Sequence, residues 1–164
     1  MIKILSFSSK ITKQIGTSVA QQIMQRESLH KGPRFILLEG DLGAGKTTFT
    51  MGFLEYFGIK PKAASPTFTI MKRYDTRGRG KGERGEKKEK DVHNLVSDIW
   101  HMDAYRLRSK RDLEALGFDE IKKRPHTVVL IEWPGNIKGM KFPNAVRVKF
   151  EYGESENERS IEIK

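Results

Sequence analysis

Gly40-Asp41-Leu42-Gly43-Ala44-Gly45-Lys46-Thr47 satisfies the pattern GxxxxGK(S/T) at every fixed position. Glycines at this spacing let the backbone curl with its N–H groups facing inward, where they bond phosphate oxygens, and the following helix adds the positive end of its dipole. Lys46 is placed to reach the β- and γ-phosphates as a point charge, and the Thr47 hydroxyl to bind Mg²⁺. A loop of this kind must leave a buried strand and open a helix. Phe35-Ile36-Leu37-Leu38 precedes it, too continuously apolar to have a wet face, and Lys46–Phe57 carries helical character up to Gly58. The stretch therefore reads as a phosphate-binding loop in an α/β fold. Nothing in the chain resembles the guanine-reading NKxD motif, so ATP/ADP is favoured over a guanine nucleotide.

Around this centre the chain alternates strand and helix signals. Met1–Ser6 reads as a short strand. Ile11, Ile15, Val19 and Ile23 recur every fourth residue over an amphipathic helix to Met24, with Ser8 or Ser9 as its cap. Thr67–Tyr74, Asp98–Asp103 and Thr127–Glu132 read as strands, and Ser109 caps a helix holding Leu113 and Leu116. Ala145–Tyr152 and Ser160–Ile163, separated by a turn-like segment, suggest a terminal hairpin. The expectation is one domain over 1–164, a P-loop NTPase-like, mostly parallel sheet with flanking helices and antiparallel edge strands.

Composition narrows the chemistry. The 164 residues contain no cysteine, which excludes disulfides, thiolate metal sites and cysteine nucleophiles. No apolar run exceeds four residues, so neither a transmembrane span nor the core of a secretory signal is read, and a cytoplasmic protein with no membrane role is expected. The balance of 31 basic to 21 acidic residues gives +10. Part of the excess lies in Arg77–Lys90, where every residue is glycine or charged, seven basic and three acidic. Such a tract has nothing to bury and reads as a flexible insertion. Without interleaved aromatics it gives no support to base stacking.

Phosphoryl transfer also needs a carboxylate at the tip of a neighbouring strand. Val128-Val129-Leu130-Ile131-Glu132 is an apolar strand ending in an acid, and Ile99-Trp100-His101-Met102-Asp103 places Asp103 similarly. A solvated loop carboxylate, or a partner for a nearby arginine, is the competing reading for each. His101 reads more readily as a satisfied strand histidine than as a proton shuttle. His30, His93 and His126 share no metal-site spacing. Trp100 and Trp133 read as core or cleft wall.

Four blocks in order, LEGDLGAGKTTF (38–49), SPTF (65–68), HMDAYRL (101–107) and VVLIEWP (128–134), resemble the bacterial tRNA threonylcarbamoyladenosine biosynthesis ATPase family, TsaE or YjeE. A T..IG..VA pattern around Thr12 and Gly16 is a weaker fifth. The resemblance implies a small Mg²⁺-dependent ATPase working with TsaB and TsaD homologues, which threonylcarbamoylate adenosine-37 of tRNAs reading codons that begin with A. ATP hydrolysis would activate or reset that complex, and tRNA would be met through it. By the same resemblance Leu42, Gly43, Ala44, Gly45, Lys46, Thr47 and Thr48, with Thr12 and Trp133, serve nucleotide binding. Thr47 and Glu132 serve the metal, while Asp103, Lys46 and Thr67 serve catalysis. Met102 and Ala104 fill positions that are often bulkier in the family, and Arg77–Lys90 looks like an insertion. The rival readings are a small-molecule kinase with an Arg/Gly lid, which leaves SPTF and EWP unexplained, and a nucleotide-regulated RNA-binding module.

Overall fold

Phe35–Leu38 lies within β2 (Arg34–Glu39), the middle strand of a seven-stranded sheet in a computed structural model that describes residues 1–24, 32–60, 70–77 and 96–164. The order is β1-β7-β6-β2-β5-β4-β3, with β1 at Ile2–Ser6, β3 at Met71–Asp75, β4 at Asp98–Asp103, β5 at Thr127–Glu132, β6 at Val146–Tyr152 and β7 at Arg159–Ile163. β2 pairs in parallel with β5 and β6, and β5 with β4, while β1–β7, β6–β7 and β3–β4 are antiparallel. The parallel centre thus carries antiparallel edges, as the alternation of strand and helix signals leads one to expect.

Both faces of the centre are covered, which is why β5, TVVLIE, is buried at every position. Ile36, Leu38, Val128 and Leu130 pack on one face with α1 (Ser9–Met24) and α2 (Lys46–Tyr56). On the other face, Leu37, Val129 and Ile131 meet Leu113 of α3 (Lys110–Ala115) and Phe118 and Ile121 of α4 (Phe118–Ile121). Ser8 Oγ accepts the Ile11 N–H at the start of α1, and Ser109 with Asp112 forms a capping box on α3. The terminal hairpin is present. Gly153 N–H closes its turn onto the Glu158 carbonyl at 2.9 Å. The β3–β4 ladder runs from Met71–Met102 to Asp75–Asp98. Residues 67–69, and the basic tract beyond Arg77, lie outside the described residues.

The two helices beside the phosphate loop touch through backbone. A Cβ on Gly16 would run into the Phe49 carbonyl, and one on Gly52 into that of Lys13. Thr17 Oγ1 donates to the Gly52 carbonyl at 2.9 Å across the same contact. Gly52→Ala is therefore expected to destabilise the fold by roughly 1–3 kcal/mol, the usual cost of overpacking a tight contact. Calorimetry would read this as a melting temperature several degrees lower, and an unchanged value would mean that the helices have room to spare.

Candidate functional site

The loop between β2 and α2 is shaped by glycine where side chains cannot go. Gly40, at φ 145°, lies so close to β6 that a Cβ would strike the Phe150 carbonyl, and Gly45 caps α2 in the left-handed region at φ 105°. Ala44 is fully buried, whereas Leu42 at the loop's tip is 79% exposed. Thr47 and Thr48 are half-buried in the first turn of α2. Thr12 backs the loop. Its methyl lies 3.5 Å from the place a Gly45 Cβ would occupy, and its hydroxyl bonds Ser6 Oγ at 2.8 Å.

Lys46 is buried, and its Nζ donates to the carbonyls of Gly40 and Asp41, each at 2.7 Å. The same ammonium lies 3.9 Å from the centroid of the Trp133 ring. Burial pushes the Lys46 pKa below the ordinary lysine range, opposed by the carboxylates of Glu132, Asp103 and Asp41. Trp133 reaches this place through a left-handed backbone, φ 59° and ψ 46°, which costs a bulky residue about 1–3 kcal/mol. Its N–H holds the Leu38 carbonyl at 3.2 Å, and Tyr105 packs edge-on to its ring at 5.3 Å.

The two acids stand side by side. Asp103 and Glu132 are register partners at the C-terminal ends of the parallel strands β4 and β5, and both are buried. Thr47 Oγ1 lies 3.2 Å from each Glu132 carboxylate oxygen, joining the phosphate loop to the strand tip. Asp103 accepts the Tyr105 N–H at 3.0 Å, which caps a 3₁₀ turn and fixes the carboxylate's direction. A hydroxyl and a carboxylate are hard oxygen donors that suit Mg²⁺, an ion that takes its remaining ligands from water and phosphate. Among the described residues there is no group of three or more His, Cys, Asp or Glu that could hold a metal ion. Thr67 lies outside the described residues.

Two features were not legible in the sequence. His101 Nε2 lies 2.8 Å from Glu132 Oε1, both side chains being 3% exposed. In addition, the terminal hairpin latches the loop from outside. Tyr152 Oη donates to the Leu42 carbonyl, Arg159 stacks on the Tyr152 ring at 4.6 Å, and Arg159 Nη2 reaches the Gly43 carbonyl at 3.4 Å. These contacts hold the Leu42 and Gly43 carbonyls from outside the loop. Tyr152→Phe removes one neutral hydrogen bond, generally a matter of about 0.5–1.5 kcal/mol, so nucleotide affinity should fall by roughly two- to tenfold. The melting temperature should fall by no more than a few degrees. Unaltered affinity by calorimetric titration would show that the loop holds its shape without the hairpin.

The family model for the threonylcarbamoyl adenosine biosynthesis protein TsaE matches residues 7–161 of this chain. A relative from Rickettsia typhi, named tRNA threonylcarbamoyladenosine biosynthesis protein TsaE, is 30% identical over 158 residues, covering 96% of this chain and 90% of its own length. One of the same name from Bacillus subtilis is 42% identical over 98 residues, but the match spans 60% of this chain and only about half, 49%, of that relative. Among solved structures, Bacillus subtilis YdiB superposes with a TM-score of 0.65 at 29% identity, covering 98% of this chain and 82% of that one.

Proposed function

The chain belongs to the TsaE family, and from that premise we propose that it is an ATPase serving the threonylcarbamoylation of adenosine-37 in tRNAs that read A-starting codons. The observation that carries this reading is the convergence of Lys46, Thr47, Glu132 and Asp103 on one end of the sheet, where Thr47 Oγ1 lies 3.2 Å from the Glu132 carboxylate and Asp103 is the register partner of Glu132. Backbone N–H groups of 42–47 and the Lys46 ammonium take the phosphates, with Thr48 in the same helical turn. Thr12 and Trp133 wall the nucleotide. Thr47 and Glu132 serve the metal, which when bound neutralises charge developing on the transferred phosphoryl group. Asp103 orients the attacking water, and Thr67 senses the γ-phosphate.

We assign the site to the cytoplasm, with TsaB and TsaD homologues as partners and tRNA reached through them. Among the described residues no helix is long and apolar enough to cross a membrane. Reconstituting tRNA modification from purified partners tests the assignment. Omitting this chain, or supplying Lys46→Ala, should hold the reaction near a single round, and undiminished repeated turnover without it would overturn the proposal.

A further inference from the structure

We propose that His101 is a positioning residue, whose imidazole fixes the Glu132 carboxylate in the orientation from which it serves the metal. This rests on the reading of Glu132 given above. β4 and β5 run parallel, and His101 is the register partner of Leu130, two residues before the Asp103–Glu132 pair on the same face of the sheet. From there its Nε2 comes within 2.8 Å of Oε1, while Thr47 approaches both oxygens from the side of the phosphate loop. A carboxylate oxygen only accepts, so Nε2 carries the proton.

Burial makes the contact matter. A carboxylate 3% exposed must have its lone pairs engaged by donors or suffer a large desolvation cost. Thr47 alone is a weak anchor, because one hydroxyl proton is shared between two oxygens at 3.2 Å. The imidazole supplies a second, better-placed donor on the opposite strand, in the manner of the outer partners that orient metal-ligating carboxylates. A proton-shuttle role fits less well. His101 is 2% exposed, and the nitrogen facing the site is already engaged by Glu132.

The test is binding rather than turnover. ADP affinity is measured calorimetrically with and without Mg²⁺ in wild type, His101→Leu, His101→Gln and His101→Asn, and the ratio gives the gain due to metal. Loss of an outer partner typically costs about 10–100-fold in metal affinity, so His101→Leu should shrink the gain by about tenfold or more while metal-free affinity stays unchanged. Gln can place an amide N–H near the Nε2 position and should restore most of the gain. Asn is one methylene shorter and should not, a contrast that remains readable if the Leu variant fails to fold. An unchanged gain in a folded Leu variant, or equal gains in Gln and Asn, would overturn the proposal. Glu132→Ala separates the two layers. If it abolishes the gain while the His101 variants do not, only the role of His101 fails. If it leaves the gain intact, Glu132 does not serve the metal and both readings fall.

Discussion

ATP turnover should fall by at least about a hundredfold when Lys46 is replaced by alanine, the scale on which removing one preorganised charge from a dry site is felt. The ammonium lies under the loop, between two backbone carbonyls and an indole face, with acidic neighbours that oppose the lowering of its pKa by burial. Truncation removes the charge that meets the phosphates and leaves the Gly40 and Asp41 carbonyls without their donor. Arginine is no substitute, since a planar guanidinium does not fit where a compact ammonium sits 3.9 Å from the Trp133 centroid. Lys46→Arg should therefore resemble Lys46→Ala more than wild type. Phosphate release together with ATP titration checks both variants, and hydrolysis within threefold of wild type in either would sink the assignment of the loop.

Asp103→Asn is expected to act on the chemical step alone. The substitution keeps the oxygen that caps the 3₁₀ turn through Tyr105 N–H, so the strand end should not move. What it removes is a buried negative charge beside Glu132, and with it the ability to accept a proton from or orient a water, worth about 10²–10⁴-fold in general-base catalysis. Turnover should drop by that order while ADP and ATP affinities stay within a few-fold of wild type. Equal losses of affinity and turnover would make Asp103 a binding group and remove the separation of roles between it and Glu132.

What the sequence made legible is what local chemistry encodes. GDLGAGKT carries its own backbone and charge requirements, and the apolar runs before Asp103 and Glu132 announce strands whose ends bear acids. Both strands have the boundaries read from those runs, Asp98–Asp103 and Thr127–Glu132. The hidden parts depend on distant pairings. Tyr152 and Leu42 are 110 residues apart, and nothing near either says that β6 lies beside β2. His101 and Glu132 meet only because β4 and β5 adopt one register out of several that their apolar patterns allow. The left-handed backbone at Trp133 has no local signal either, since a tryptophan before proline gives no hint of φ 59°.

The most direct test of the account is phosphate release from ATP and Mg²⁺ by this chain with purified TsaB and TsaD homologues and tRNA, compared with the chain alone and with Asp103→Asn. The expected result is weak hydrolysis alone, a marked rise with the partners, and loss of that rise in Asp103→Asn. Hydrolysis indifferent to the partners, or a stimulated rate that survives Asp103→Asn, would contradict it.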